Sequence, residues 1–343
     1  MPNRMLIVGV GSIGERHLRC FRNTGRVDKL GLCEVKDPLR REIAERYQIS
    51  DTYRNLGEAL SDAVWDSAVI AVPAHLHIVL ARQLAEAGMA MLVEKPLSSS
   101  TDGVDELLTM VRQKNLVACT AYVFRNHPEL ASMRQILQSG RLGRPLSLIH
   151  VSGQNFPFYR PAYLETYYTD RATGGGAIQD ALTHAVNAGE WLLGPIDRVC
   201  ADAQHMALPG VTVEDTVNVL ARHGSTMACY SLNQFQTPSQ FTFSVHCESG
   251  SVEYSRSDNR LRWINQTDGP WHEEPIASFS DRDDYFVAQA HAFLDAFEGK
   301  GPLLCTLEEG LQTLHVNLAV MESALETGGW VDVPVVEAAK IAS

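Results

Sequence analysis

The stretch Met5-Leu-Ile-Val-Gly-Val-Gly-Ser-Ile-Gly14, near the start of the 343-residue chain, decides the fold. Its apolar part, Met5 to Val10, has the pattern of a buried parallel strand. The segment that follows, Ile13 to Phe21, has the pattern of a helix. Between them, Gly9 permits a tight turn, Gly11 lets the backbone approach a pyrophosphate, and Gly14 lets helix and strand pack closely. The motif therefore predicts a dinucleotide-binding turn.

An acidic residue and the start of the helix support this interpretation. The amide groups of Ser12 and Ile13, at the helix start, would hold the phosphates. Glu34 lies 20 residues beyond Gly14, at the end of a second predicted strand, Leu30 to Val35. That is the spacing expected of a carboxylate that accepts hydrogen bonds from ribose hydroxyls. The alternative is a surface carboxylate at a strand end, which we rank second.

The same carboxylate bears on the choice of cofactor. Glu34 would accept hydrogen bonds from both ribose hydroxyls but would repel a 2′-phosphate. NAD is therefore favoured over NADP. Lys36 and Arg40 lie nearby and would soften that repulsion.

Strands and helices alternate over the first third of the chain. Further strands are predicted at 67–72, 89–93 and 116–122, with helices at 38–47, 75–87 and 101–114. This alternation predicts an α/β domain of the Rossmann type, with a doubly wound parallel sheet. After residue 122, hairpin-linked strands interrupted by helices predict an α+β domain with a large, mostly antiparallel open sheet. We expect two domains, an NAD-binding domain at 1–122 and a substrate-binding and oligomerisation domain at 123–343.

The bulk composition limits the partners. The formal net charge is −12, and such an anionic field disfavours nucleic acid or an acidic membrane surface as partner. Seven cysteines occur singly, which is typical of free thiols in a reducing compartment. No apolar run approaches the ~18–20 residues needed to span a bilayer. We therefore expect a cytoplasmic protein. A free face of the open sheet would make it a homo-oligomer, a dimer or a tetramer.

A loop with two histidines follows the strand at 67–72. It contains Pro73, His75 and His77 and would pass beside the nicotinamide ribose. No cysteine or carboxylate lies beside the histidines, and zinc needs three or four ligands, so we expect no metal site. His75 is expected to start the next helix, and His77 to pack or hydrogen-bond near the cofactor.

Glu94-Lys95-Pro96 ends the apolar run at 89–93. This position places Lys95 at the carboxyl edge of the parallel sheet, where such sheets hold their ligands. There a lysine can reach both a nicotinamide and a substrate hydroxyl, and Glu94 would contribute to the cofactor site. The alternative is a surface lysine.

A second signal lies at Gly174-Gly-Gly-Ala-Ile-Gln-Asp180-Ala-Leu-Thr-His184. Three glycines lead into a predicted helix, and Asp180 and His184 stand four residues apart on one face of it. Oxidation of a secondary alcohol by hydride transfer requires a base for the hydroxyl proton, and histidine suits that role. Lys95 would stabilise the developing alkoxide. A surface hydrogen bond between Asp180 and His184 is the alternative.

The aromatic segment before the glycine run, residues 156–171, bears on the substrate. Tyrosine rings such as that of Tyr163 suit the face of a sugar. Arg160 and Arg171 would grip a carboxylate or phosphate. Ordinary loop packing is an equally good interpretation, so an acidic sugar derivative stays open.

These motifs, in this order, resemble the glucose-fructose oxidoreductase / inositol dehydrogenase / rhizopine-catabolism (Gfo/Idh/MocA) family over nearly the whole chain. The resemblance implies hydride transfer between NAD(P) and a sugar or polyol, with Lys95 on the hydroxyl, His184 as general base and Asp180 as a substrate contact. It also implies a cis bond before Pro96 and a substrate-side role for Arg125. Two positions depart from the family pattern, Ala74 in place of asparagine and Asn187 in place of aspartate.

Two other functions compete with a simple dehydrogenase. The chain could be a dinucleotide-sensing regulator without turnover, although Lys95, Asp180 and His184 would then have no task. It could also use NAD as a recycled prosthetic group, in glycoside cleavage or in hydride exchange between sugars. Net formation of NADH from a single sugar would oppose that second alternative.

Overall fold

The computed structural model describes residues 3–276, 279 and 281–337. The chain forms two compact units, and neither is continuous in sequence. The first unit contains Met1–Asn126 and Phe279–Gly310, and the second contains His127–Ser278 and Leu311–Ser343. The predicted boundary at residue 122 stays a prediction.

The first unit is built on a six-stranded parallel sheet with the order β3-β2-β1-β4-β5-β6. Its strands are fully buried toward their carboxyl ends, as expected where helices cover both faces of a sheet. They span β1 Arg4–Val8, β2 Lys29–Cys33, β3 Thr52–Tyr53, β4 Ser67–Ile70, β5 Ala90–Val93 and β6 Ala118–Thr120.

Helices connect these strands in the order of the chain. They are α1 Ser12–Asn23, α2 Asp37–Tyr47, α3 Leu56–Asp62, α4 His77–Glu86 and α5 Val104–Gln113. Since every connection between neighbouring parallel strands must cross back over the sheet, the carboxyl ends of β1, β2, β4 and β5 share one edge. The glycine turn and Glu94-Lys95-Pro96 both follow strands at that edge.

A helix from late in the chain completes the core of the first unit. This helix, Arg282–Phe297, begins with a capping box formed by Asp281 and Asp284. Its Phe293 packs edge-on against Phe21 of α1, with ring centroids 5.8 Å apart. Asp283, at its first turn, pairs with Arg16 and Arg19 of α1. Long-range burial of this kind leaves no signal in the local sequence pattern.

The second unit is built on a nine-stranded sheet with the order β14-β13-β12-β11-β7-β10-β9-β8-β15. Among the strands that the structure describes here, only β7 and β10 pair in parallel, and the remaining pairs are antiparallel. The strands are β7 Pro145–Asn155, β8 Arg198–Gln204, β9 Thr216–His223, β10 Thr226–Asn233, β11 Phe235–Cys247, β12 Gly250–Ser255, β13 Arg260–Ile264, β14 His272–Glu274 and β15 Val331–Asp332.

The remaining helices are α6 Pro128–Gln138, α7 Phe156–Tyr159, α8 Thr183–Leu193, α9 Arg282–Phe297 (the helix of the first unit described above) and α10 Leu307–Glu322. A five-residue π-helical segment, Ile178–Leu182, leads directly into α8, and another, Ser323–Thr327, follows α10. No helix of the described residues is both long and apolar enough to cross a membrane.

The predicted fold class is confirmed by the two sheets. The sequence pattern did not reveal β3, α3, β13 or the two edge strands of the second sheet, β14 and β15. These elements are two to seven residues long, too short for a hydrophobic period to repeat. The helix predicted after the glycine run, which contains Asp180 and His184, is present, but its first turn is π-helical.

Candidate active site

Two glycines of the first turn leave no room for a side chain. Gly9 has a φ of +85°, in the left-handed region that favours glycine. A Cβ on Gly9 would lie 2.5 Å from the carbonyl oxygen of Ala71, and a Cβ on Gly14 would lie 1.9 Å from the carbonyl oxygen of Gly9. The tight turn and the close helix packing expected of these positions are both present.

Gly11 differs, because the space around it is open. It is exposed, and a Cβ there would meet no atom within 4 Å. Among the described residues no side chain caps the start of α1, and the amide groups of Ser12 and Ile13 lie in its first turn, where a helix provides no intrahelical acceptor. A helix start of this kind favours a phosphate group through its amides and its dipole. The turn therefore fits a dinucleotide pyrophosphate.

Glu34 lies beside this turn. One carboxylate oxygen accepts a hydrogen bond from the amide of Val10 at 3.1 Å, and the other accepts from the amide of Lys36 at 2.9 Å. The side chain is buried, so these two bonds fix its direction. Each carboxylate oxygen can accept a further bond, which suits ribose hydroxyls.

The guanidinium of Arg40 is engaged by other groups of the protein and is therefore not available to bind a 2′-phosphate. Its guanidinium donates to the carbonyl oxygen of Glu34 at 2.8 Å and pairs with Asp37. The side chain is buried. Of the two cations near Glu34, only Lys36 is exposed.

The loop after β4 contains Pro73 and His75, both exposed, and His77, which is buried at the start of α4. The Nε2 atom of His77 lies 2.8 Å from the carbonyl oxygen of Val72, and its Nδ1 atom lies 3.0 Å from that of Pro96. Burial lowers the pKa of His77, and a neutral ring donates only one of these two bonds. The ring therefore lies between two backbone segments and donates a hydrogen bond to one of them. Cofactor contacts of Pro73, His75 and His77 stay predictions.

Glu94-Lys95-Pro96 follows β5 directly, and the Lys95–Pro96 peptide bond is cis. Glu94 is buried and does not point into solvent. One of its oxygens lies 2.7 Å from Nε2 of His17 on α1, and the other accepts from the backbone amide of Lys95 at 3.0 Å. Lys95 itself is partly exposed at the edge that carries the glycine turn. His17 was not singled out from the sequence, because nothing local links positions 17 and 94.

In the second unit, Asp180 lies in the π-helical segment and His184 lies in the first turn of α8. Between residues 177 and 190, only Asp180, Ala181 and His184 are partly exposed, and all others are buried. Asp180 and His184 therefore share the one accessible face of this helix. Single π-helical turns inside α-helices often occur at functional sites.

Tyr167 is a partner of Asp180 that the sequence did not identify. Its hydroxyl donates to Oδ1 of Asp180 at 2.6 Å, and the residue remains 39% exposed. Thr173 donates to the backbone carbonyl of Tyr167 at 2.9 Å, which ties the loop to the glycine run. The aromatic segment was visible in the sequence, but the choice of this tyrosine depends on the fold.

The glycine run at 174–176 accommodates a buried carboxylate of the protein itself. Glu214 is fully buried, and a Cβ on Gly176 would lie 2.3 Å from its Oε1 atom. The same oxygen accepts from the amide of Ile178 at 3.2 Å, and Oε2 accepts from Nε of Arg171 at 2.7 Å. Arg171 therefore compensates the charge of Glu214.

Tyr163 belongs to a packed cluster. It is buried, its hydroxyl donates to the carbonyl oxygen of Pro209 at 2.6 Å, and its ring contacts Phe156 and Tyr168 edge-on. Tyr168 in turn donates to the side chain of Gln234. These contacts favour the loop-packing interpretation for Tyr163, and its substrate contact stays a prediction.

Arg125 and Asn187 lie in buried networks. The Arg125 guanidinium pairs with Glu309 and donates to the carbonyl oxygen of Leu304 at 2.8 Å. Asn187 donates to the hydroxyl of Thr313 at 2.9 Å. Within the described part of the chain, no group of three or more histidine, cysteine, aspartate or glutamate side chains is placed to hold a metal ion.

Comparison with known families agrees with this arrangement. Residues 3–122 match the family described as oxidoreductase family, NAD-binding Rossmann fold. Residues 130–253 match the GFO/IDH/MocA C-terminal domain.

Individual proteins resemble the chain over most of its length. A levoglucosan dehydrogenase of Pseudarthrobacter phenanthrenivorans is 25% identical, with 90% of each chain covered. A D-xylose 1-dehydrogenase (NADP(+)) of Haloferax volcanii is 25% identical over 95% of this chain and 98% of its own.

A solved structure shares the fold. Levoglucosan dehydrogenase in complex with NADH and levoglucosan superposes with a TM-score of 0.87 at 21% identity, covering 97% of this chain and all of the other. The resemblance noted in the sequence is confirmed: the chain belongs to the Gfo/Idh/MocA family and is an oxidoreductase with an NAD-binding Rossmann domain.

Proposed function

We propose that the protein catalyses reversible hydride transfer between a nicotinamide cofactor and a secondary hydroxyl of a neutral sugar or polyol. The observation that carries this proposal is the position of Lys95, which follows β5 at the same sheet edge as the glycine turn and Glu34. Two similar proteins are named as dehydrogenases of levoglucosan and of D-xylose, which supports a sugar as substrate class.

In the proposed reaction, different residues stabilise the developing charge and transfer the proton. NAD, when bound, supplies the hydride acceptor. Lys95 donates a hydrogen bond to the substrate oxygen and stabilises its developing negative charge. His184 accepts the hydroxyl proton, and Asp180, oriented by Tyr167, contacts the substrate. In the reverse direction, His184 returns the proton to the carbonyl oxygen.

The side chains beside the glycine turn favour NAD over NADP. Glu34 presents its carboxylate at the glycine turn, and Arg40 is engaged by Asp37 and by the Glu34 carbonyl. A 2′-phosphate would therefore meet a negative charge that the buried, paired Arg40 is not placed to offset. We expect Glu34→Ala to shift the ratio of kcat/KM values toward NADP, and an unchanged ratio would contradict this assignment.

The charges of the loops favour a neutral substrate. Arg125 is paired with Glu309, and Arg171 with Glu214, so neither presents an uncompensated charge. Arg160 is partly exposed and is the remaining one of these arginines that could meet an acidic substrate. If Arg160→Ala or Arg171→Ala lowered turnover of uronates but not of aldoses, the neutral-substrate proposal would be wrong.

The direct test is NADH formation, followed by absorbance, across polyols, aldoses, uronates and amino sugars. With the best substrate, Lys95→Ala and His184→Ala should each lower kcat by ~10²–10⁴-fold, the range for loss of a positioned acid or base. His205→Ala, an exposed histidine of the second unit, is the matched control.

Two experimental outcomes would favour a different function. Tight NADH binding without turnover of any substrate would favour a dinucleotide-sensing regulator. Conversion of a sugar without net NADH would favour a recycled, prosthetic NAD. Full activity of His184→Ala would remove the general base from the mechanism.

We also propose that the protein is a cytoplasmic homo-oligomer, a dimer or tetramer, associated through its open sheet. Leu220, Cys229 and Ile149 stand side by side on β9, β10 and β7, and Leu220 and Ile149 are 52% and 42% exposed. A row of apolar side chains of this kind suits a protein interface. All seven cysteines are free, which suits a reducing compartment.

The association is tested by light scattering of the purified protein. Leu220→Glu combined with Ile149→Glu should yield monomers. Val79→Glu, at an equally exposed apolar position of the first unit, should not change the mass. A wild-type protein that is already monomeric would contradict the proposal.

A further inference from the structure

A buried histidine of the cofactor-binding helix is linked to the backbone of Lys95. His17 lies on α1, five residues after the helix starts at the glycine turn. Only 1% of His17 and 5% of Glu94 is exposed. The Nε2 atom of His17 and Oε1 of Glu94 are 2.7 Å apart, and Oε2 of Glu94 accepts from the Lys95 amide at 3.0 Å. A continuous path of hydrogen bonds therefore runs from α1 to Lys95.

The surroundings of His17 are apolar. Phe286 meets the imidazole edge-on, with ring centroids 5.7 Å apart, and Phe21 lies 6.3 Å away. A hydrogen-bonded pair in such a place loses its hydration on folding. Replacement of a buried ionic pair by apolar residues of similar volume is often neutral or stabilising. Packing alone therefore does not require a histidine and a carboxylate here.

The carboxylate is held in its charged form. Burial raises the pKa of Glu94, but the hydrogen bond and charge of His17, together with the charge and amide of Lys95, outweigh burial and leave the pKa below its ordinary value. A charged acceptor makes a stronger bond to the Lys95 amide than a neutral one would.

We propose that His17 is a positioning residue, which acts through Glu94 to fix the backbone of Lys95 relative to the helix that binds the pyrophosphate. The inference rests on the proposed role of Lys95 in hydride transfer. In physical terms, one rigid unit would then carry both the phosphate-binding helix start and the lysine. Misplacement of a reacting group by about 1 Å can cost ~100-fold in rate, so such a link has a large effect on turnover.

The test compares three variants of the full chain: His17→Leu, Glu94→Leu and the double variant His17→Leu/Glu94→Leu. Each is measured for thermal stability, for NADH affinity by fluorescence, and for kcat and KM with the best substrate of the panel. His17→Leu leaves an unpaired buried carboxylate and should lower both stability and kcat. The double variant removes that carboxylate, so its stability should return toward that of the wild type.

The double variant should recover thermal stability without recovering kcat. In the double variant the Lys95 amide has lost its acceptor, and we expect kcat to stay about 10- to 100-fold below the wild type, with KM for the substrate changed by less than about threefold. Recovery of kcat together with stability would overturn the proposal, because it would show a purely structural role. Phe286→Leu, which disturbs the same cluster without touching the hydrogen bonds, should lower stability and leave kcat unchanged.

Amide hydrogen exchange supplies a readout that needs no substrate. Peptides containing Lys95 should exchange faster in the double variant than in the wild type, while peptides from α5 should not change. Unchanged exchange at Lys95 would overturn the positioning role even if the protein proved inactive on every sugar. Conversely, faster exchange together with full activity of Lys95→Ala would leave the link intact and refute the proposed function.

Discussion

The glycine turn after β1 and the helix that starts at Ile178 are the two regions proposed to meet ligands, and they are built from different parts of the chain. The turn is made of backbone, and Gly9 and Gly14 exclude side chains because other backbone atoms occupy the space. The helix depends on side chains: Tyr167 holds Asp180, and Glu214 holds the amide of Ile178.

The difference has a consequence for substitutions. Where backbone packs against backbone, an added methyl group has nowhere to go, and the fold itself is affected. Where a side chain orients another side chain at a partly exposed face, its loss changes chemistry more than stability. Substitutions in the two regions should therefore separate folding from function.

The largest effect is expected at Gly14. Gly14→Ala places a Cβ 1.9 Å from the Gly9 carbonyl oxygen, so turn and helix must separate. We expect a loss of about 3 kcal/mol in the free energy of unfolding, the upper part of the range for overpacking. Urea denaturation measures it, and a loss below about 0.5 kcal/mol, as at ordinary surface sites, would contradict the observed packing.

Gly11→Ala is the matched substitution with the opposite expectation. The φ of Gly11 is −62° and its surroundings are open, so alanine is tolerated and the unfolding free energy should change by about 0.5 kcal/mol or less. The methyl group would stand where the pyrophosphate approaches. NADH affinity should fall about tenfold, equivalent to ~1.4 kcal/mol, as measured by fluorescence titration. Unchanged NADH affinity would contradict a pyrophosphate-binding site at this turn.

Tyr167→Phe sharpens the comparison at the helix. It removes the hydroxyl that donates to Asp180 and orients that carboxylate at the partly exposed face of the helix. We expect kcat/KM to fall about tenfold without a change in melting temperature, since the ring is partly exposed. Tyr159→Phe, another exposed tyrosine nearby whose hydroxyl contacts Ser239, is the control and should retain full activity. Equal loss in both variants would argue against a specific role for Tyr167.

The smallest effect at neutral pH concerns buried histidines of the second unit. Burial lowers the pKa of His150 to about 3 and that of His223 to about 4. Both are neutral in the folded protein, whereas in the unfolded chain they take up protons below pH ~6.5. Each should therefore remove ~1.4 kcal/mol of stability per pH unit as the pH falls from ~6.5 toward its folded pKa.

His150→Phe tests this dependence. The substitution suits the ring contacts with Phe241 and Phe243 and removes one titrating group. Urea denaturation between pH 6.5 and 4.5 should show a shallower loss of stability than in the wild type. An identical slope in His150→Phe and in the wild type would refute the expected titration.

The sequence by itself determined the features that depend on neighbours along the chain. The glycine spacing, the distance from Gly14 to Glu34 and the alternation of strands and helices are local patterns, and they sufficed for the parallel sheet and the dinucleotide turn. A short apolar run before Glu94-Lys95-Pro96 also placed Lys95 at the sheet edge. Each follows from backbone geometry, which local sequence constrains strongly.

Only the tertiary structure decided which charged side chains are engaged by partners. The pairs Arg125 with Glu309, Arg171 with Glu214, and His17 with Glu94 join residues 43 to 184 positions apart. No periodicity or spacing in the sequence predicts such pairs. A buried charged group needs a partner, and that partner can come from any segment that the fold places beside it. The return of the helix Arg282–Phe297 to the first unit and the bond from Tyr167 to Asp180 were decided in the same way, by packing between distant segments.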